Sequence, residues 1–188
     1  MDTKATNMTQ DIILPDLNVT LRDAAHAADA YFLSARECVA ANVAPAGKVD
    51  RKLMDVEQRA THGLGWILSY VETLKQVSEW ADRLAADGDF GEAEQLLSQI
   101  LFGEYLHQLV GGIPMTQCEI VRPSDLGVDM STVTTLITTP AVSSLLSSGN
   151  TPATRLRAAA LIKDAQGRST VENTGLDETL TMVRDQFR

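Results

Sequence analysis

Apolar residues recur at alternating intervals of three and four along most of this chain, the spacing of one face of an α-helix. The first such run predicts a helix over residues 19–43, with Leu21, Ala25, Ala28, Phe32, Ala35 and Val39 on one face and Asn18 as its N-cap. Pro45, Ala46 and Gly47 end it. The second run predicts one long helix over 50–86, with a continuous stripe through Leu53, Val56, Ala60, Leu64, Ile67, Val71, Leu74, Val77, Ala81 and Leu84. Gly63 and Gly65 interrupt that stripe, and each costs up to about 1 kcal/mol against alanine. Their presence predicts close approach of another helix. Asp87-Gly88-Asp89 reads as a tight turn into a third helix over 90–110, carrying Leu97, Ile100, Leu101, Tyr105 and Leu109. So short a link makes the two long helices antiparallel neighbours.

Gly111-Gly112-Ile113-Pro114 stops the third helix. The segment that follows to Gly127 reads as a structured loop, with Ile113, Met115, Ile120, Val121 and Leu126 available for burial. A weaker helix follows through Ile137, capped by Asp129 or Ser131; its run STVTTLITT is β-branched and a poor helix former. Pro140 suits the first turn of another short helix. Thr151-Pro152 marks the start of a helix to about Ala165, with Gly167 as its C-cap. The expected organisation is a disordered N-terminal arm at 1–15 whose apolar end, Ile12–Pro15, can dock on a neighbour; a hairpin domain with its loop at 16–128; smaller helices at 129–167; a linker at 168–175; and a final amphipathic helix at 176–188 through Leu180, Val183 and Phe187. The fold class is all-α, a helical bundle built on a long antiparallel hairpin with smaller C-terminal helices. There is no internal repeat, and the Thr/Ser-rich stretch at 131–148 is the sole biased tract.

Composition narrows the classes of function. Aromatics make up only 5% of 188 residues, so the core is mostly alanine and branched aliphatics. A net charge of −9 argues against nucleic acid as a partner, which needs a basic face. Cys38 and Cys118 are the two cysteines, the pattern of free thiols in a reducing cytoplasm. The N-terminus lacks the apolar core of a secretion signal, and no apolar run approaches the ~20 residues that span a bilayer. The expectation is a soluble cytoplasmic protein without a membrane partner.

No constellation of residues assembles an active site. Glu104 and His107 form an E-x-x-H pair on one helical face, but di-iron bundles use that motif twice with two further glutamates, so an ordinary polar pair is favoured over a metal site. His62, one turn before Trp66, suits stacking or a buried hydrogen bond at a helix contact. The G-x-G of 63–65 has neither a preceding strand nor a third glycine and is no nucleotide loop. Cys118 lies in a loop near Arg122; a buried, inert thiol is favoured over an activated one. Arg155, Arg157 and Lys163 make a small basic patch, read as a solvated face before a phosphate or acidic-partner site. Trp66, Tyr70, Trp80, Phe90, Phe102 and Tyr105 are the aromatics of the hairpin, core first and interface anchors second. Trp66, Tyr70, Tyr105, His107 and Arg122 are the candidate interface residues; no catalytic, cofactor-binding or metal-binding residue is assigned.

The stretches HGLGWILSYVETLKQ (62–76), EWADRL (79–84), GEYLHQLVGGIPM (103–115) and EIVRPSDLG (119–127) resemble the N-terminal helical extension of a bacterial group of long acyl-CoA dehydrogenases. The closing LDETLTMVRDQFR (176–188) resembles the first helix of the acyl-CoA dehydrogenase fold itself. The resemblance covers residues 17–188. It implies a parent flavoprotein oxidoreductase that binds FAD and removes hydrogens from the α and β carbons of an acyl-CoA, through a glutamate base and the flavin. It further implies that this catalytic core begins at Leu176 and is truncated here, so no catalytic or flavin-binding position carries over. The implied role is a non-catalytic accessory domain that docks on the core of the same polypeptide, within a homo-oligomeric parent. The alternatives are a free-standing interaction or oligomerisation module, and a small metalloenzyme using Glu104 and His107.

Overall fold

A computed structural model describes residues 12–166 and 178–186. The expected cap at Gly167, the linker at 168–175, the N-terminal residues 1–11 and Phe187 lie outside the described residues.

The domain is all-α. Helix α1 (Leu17–Val43) buries Leu17, Leu21, Ala24, Ala25, Ala28, Tyr31, Ala35, Val39 and Val43. Tyr31 takes the buried place expected for Phe32, which is half-buried beside the core. Asp16, not Asn18, stands at the N-cap, in a left-handed conformation (φ 48°) and without a side-chain cap bond. Burial, with a smaller contribution from nearby Cys38, pushes the Tyr31 phenol from 10.0 up to about 12. The fold therefore holds Tyr31 neutral: that stability is complete below pH 10.0 and is lost as pH rises toward about 12. Thermal melts followed by circular dichroism should show a falling midpoint across that window, and a shallower fall in Tyr31→Phe. An unchanged slope in the variant would assign the alkaline loss to other groups.

The stripe expected as one helix over 50–86 is broken at Glu57, whose backbone leaves the helical region (φ −93°, ψ 28°). It forms α2 (Arg51–Val56) and α3 (Gln58–Asp87). The break has a packing cause. Arg22 meets Asp82 in a bidentate pair (2.7 and 3.0 Å) and Lys75 meets Asp29 at 3.6 Å. Both links lie on one antiparallel register, which brings the end of α1 opposite the start of α3. Burial on α3 accordingly begins at Ala60 and continues through Gly63, Ile67, Val71, Leu74, Ser78, Ala81 and Leu84. Helix α2 only skirts the end of α1, with Leu53 half-buried and no residue fully buried; Asp50 holds it by capping the amides of Lys52 and Leu53.

Gly88 (φ 80°) closes α3 and the chain reverses into α4 (Glu92–Gly111). The buried residues of α4 include Leu96, Gln99, Phe102, Gly103, Leu106 and Leu109; of the expected face Leu109 is buried, Ile100, Leu101 and Tyr105 are half-buried and Leu97 is exposed. This helix packs on α1 and α3 and also on the later helices, so its sequence is apolar on several sides and carries no clean stripe. The amide of Gln99 explains a polar residue in the core. It accepts from Leu14 N–H at 2.8 Å and donates to the Ile12 carbonyl at 2.9 Å and the Gly149 carbonyl at 3.4 Å. The apolar arm at 12–15 is thus seated on α4 of its own molecule, with Ile13 and Leu14 against the core.

The loop after α4 is structured. β1 (Ile113–Pro114) pairs antiparallel with β2 (Ile120–Val121), in the register Ile113↔Val121 and Pro114↔Ile120. A 3-10 turn (Pro123–Leu126) closes at Gly127 (φ 75°). Ile113, Val121 and Leu126 are buried; Met115 is half-buried, and Ile120 is exposed. Gly63 has a packing role, though its neighbour is this loop rather than a helix: a Cβ there would collide with Val121 Cγ2. Gly65 faces open space and has no packing role.

Helices α5 (Met130–Thr138), α6 (Pro140–Ser148) and α7 (Pro152–Asp164) complete the bundle against α1 and α4. Asp129 caps α5 through Thr132 N–H at 2.7 Å, and Thr151 and Thr154 form a capping box on α7. The β-branched α5 is held by its Asp129 cap and by burial of Val133 and Leu136, while its hydroxyls are satisfied by bonding back one turn, as Thr135 does to the Ser131 carbonyl at 2.9 Å. At the α4–α7 crossing, Gly103 admits the backbone of the other segment: a Cβ there would lie 2.9 Å from Asn150 N. Helix α8 (Glu178–Gln186) ends the described chain with Leu180, Met182 and Val183 exposed. No helix among the described residues is long and apolar enough to cross a membrane.

Candidate interaction surface

Residues at Trp66, Tyr70, Thr73, Val77 and Trp80 recur every three or four positions on α3 and lie along its half-buried edge beside α4. Tyr105 of α4 stacks on Tyr70, with ring centroids 4.2 Å apart and planes at 25°. The Tyr70 hydroxyl donates to Gln108 Oε1 at 2.5 Å, and Gln108 Nε2 donates to Glu104 Oε1 at 2.8 Å. Glu104 Oε2 in turn accepts from Asn150 Nδ2 at 2.8 Å and Arg155 Nη2 at 3.3 Å, while Arg155 Nε donates to Asn150 Oδ1 at 2.6 Å. One polar chain thus ties α3, α4 and the start of α7 beneath the aromatic edge. Burial, and then neighbouring Tyr105 and Glu104, push the Tyr70 phenol above its ordinary value and keep it a donor.

Trp66, Tyr70 and Tyr105 of the expected interface therefore share one edge; His107 and Arg122 are held by local bonds of their own. His107 is exposed and its Nδ1 lies 2.7 Å from the Gly103 carbonyl. Glu104 is committed to Gln108, Asn150 and Arg155, so the E-x-x-H pair is not joined to itself, and no group of three or more His, Cys, Asp or Glu side chains gathers among the described residues. Arg122 is exposed beside Gly112, its amide bound to Asp125 Oδ2 at 2.7 Å.

His62 does bond to Trp66: the indole N–H donates to His62 Nε2 at 3.1 Å. The bond runs along one exposed helix face rather than through a buried helix contact. It places the imidazole on the wall of an open cleft of about 670 Å³, lined by Met54, Gln58, Arg59, Thr61, His62 and Glu119, which continues the aromatic edge toward α2. Arg59 spans to the loop, donating to the Ile120 carbonyl at 2.8 Å and Asp125 Oδ2 at 3.3 Å.

Two further expectations are corrected. Cys118 is exposed, because it sits at the tip between β1 and β2. The basic patch on α7 is largely neutralised: Arg157 makes a fork-to-fork pair with Glu92, both bonds 2.6 Å, and Arg155 reaches Glu104. These arginines fasten α7 to α4 and are not a phosphate site. The network residues Gln108 and Asn150 were not foreseen, and Arg155 was singled out only as part of the basic patch, not as a partner of Glu104. The i, i+4 spacing of Glu104 and Gln108 carries the signal for the first; nothing local marks the other two, far along the chain.

Among its described residues the domain is an all-α bundle with an aromatic edge where α3 meets α4. In sequence it is similar to part of an acyl-CoA dehydrogenase. That relative is (2S)-methylsuccinyl-CoA dehydrogenase of Cereibacter sphaeroides, 45% identical over 181 residues, which cover 96% of this chain and 32% of the relative. The chain spans about a third of the length of the curated relative it matches. No family model matches the chain.

Proposed function

We propose that this chain is the non-catalytic N-terminal helical domain of a methylsuccinyl-CoA dehydrogenase-like flavoenzyme. It docks on the FAD-bearing catalytic core of the same polypeptide and shapes subunit assembly or access of the acyl-CoA. The single observation that carries this reading is the 45% identity over 96% of the chain with a dehydrogenase three times its length. In this reading Trp66, Tyr70 and Tyr105 meet the core, with His107 and Arg122 at its margin, and FAD and the base belong to the core. The parent is a cytoplasmic homo-oligomer, and the last helix, α8, leads into the core.

The test is co-purification of this chain with the separately expressed catalytic part of the Cereibacter sphaeroides enzyme, followed by FAD-linked dehydrogenation of (2S)-methylsuccinyl-CoA with and without the chain. Association together with a change in rate, substrate range or subunit assembly is the expected result. Two folded proteins that ignore each other would leave a free-standing interaction module as the better reading.

A further inference from the structure

One apolar core draws on α1, α3, α4, the loop, α5 and α6, from Leu17 to Leu145. Helix α7 stands outside it: none of its residues belongs to that core or packs at its half-buried border. Along thirteen residues α7 buries only Thr154 and Ala158, while Leu156 is 72% exposed and Ile162 50%. Its main packing partner is α4. Helices in folded proteins owe most of their stability to a packed apolar face, which α7 lacks. Ion pairs take its place. Arg157 lies fork to fork against Glu92, the geometry in which arginine and carboxylate bind strongly. Arg155 reaches Glu104 and Asn150. Glu92 and Glu104 lie twelve positions apart on α4, about 18 Å along its axis. The two arginines therefore pin α7 on either side of its crossing with α4.

We propose that α7 is an ionic clasp. It undocks from α4 as a unit, about the turn at Gly149 and Asn150, while α1, α3, α4, α5 and α6 keep their shared core. Local openings cost less than global unfolding where an element has few buried apolar contacts. The main ion pair is partly open to solvent, with Arg157 38% and Glu92 27% exposed, so dissolved ions screen it. Apolar burial is not screened in this way, so salt loosens α7 and leaves the core in place. Opening also takes Arg155 away from Glu104, the residue through which the polar chain reaches Gln108 and Tyr70.

Native-state hydrogen exchange of the full chain tests this. Amides on both sides of Ala158 should exchange together, and faster than those in the middle of α1 and α3. Raising sodium chloride from about 0.05 M to about 1 M should speed them about threefold without speeding the α1 and α3 amides. Arg157→Gln should speed them about fivefold or more, and Glu92→Gln likewise. The double variant should add less than about twofold to either single change, because both remove the same pair. Arg22→Gln, which breaks the ion pair between α1 and α3, should leave α7 exchange unchanged. Circular dichroism establishes that each variant is folded, and the salt series needs no variant. Amides of α7 that exchange only in step with those of α1 and α3 would overturn the clasp. So would an opening that neither salt nor Arg157→Gln alters, since packing and not charge would then hold the helix.

Discussion

Phe102→Ala is expected to destabilise the domain by about 3–5 kcal/mol, the range for removing a buried aromatic ring. Phe102 is fully buried on α4, between the stretch that meets α1 and α3 and the face that meets the later helices. Its surroundings cannot close over the loss. The core it belongs to includes Ala24, Ala25, Ala28 and Ala35 of α1, whose side chains have no rotamers with which to move into a void. With aromatics at 5% of the chain, few side chains of comparable volume are at hand. Urea denaturation should show a lower midpoint with an unchanged slope, the signature of lost stability without a change in the surface exposed on unfolding. A loss below about 1 kcal/mol would mean that the core repacks around the gap.

Gln99→Leu is the second large effect, about 2–4 kcal/mol, because it keeps the volume and removes the bonds. The Leu14 amide, the Ile12 carbonyl and the Gly149 carbonyl all lose their partner on one side chain. Each buried group left unsatisfied costs about 1–3 kcal/mol, and relaxation of the arm recovers part of that sum. Hydrogen exchange distinguishes this from a general loosening: the Leu14 amide should exchange much faster in the variant under conditions where amides in the middle of α3 stay protected. Equal protection at Leu14 would show that the arm is held by Ile13 and Leu14 packing alone.

What could be read from the residues follows the range of the forces involved. Caps and turns are local, so Asp129, Pro140 and the Thr151-Pro152 pair marked their helices in advance, and the α1 and α3 stripes were visible because each helix has one dominant apolar face. Of the α4 face only Leu109 was placed fully in the core, because a helix packed on several sides carries no single stripe, and because Gln99 is buried for the sake of groups 85 and 87 residues away. The break at Glu57 depends on where α1 ends opposite α3, which nothing within 50–60 encodes. Gly63 and Gly65 look alike in the sequence, and only the position of Val121 separates them. Helical spacing was enough to set Trp66 and Tyr70 along one edge of α3, while the Glu104–Asn150–Arg155 part of the network spans 46 to 51 residues and stayed hidden.

The clamp at Gln99 also sets a timetable for biosynthesis. The arm that binds it leaves the ribosome before α4 does, and Gly149, which completes the clamp, comes some 135 residues after Leu14. At a translation rate of about 5–20 residues per second, that interval is roughly 7–27 s. Helix α4 is complete only at Gly111, so α1 and α4 together wait about 38 further residues, roughly 2–8 s at the same rate, for α6, which packs on both and buries Val142 and Leu145. The nascent chain therefore carries uncovered alanine and leucine surface until α6 is made. An exposed face of that size and duration is a natural substrate for a ribosome-associated chaperone.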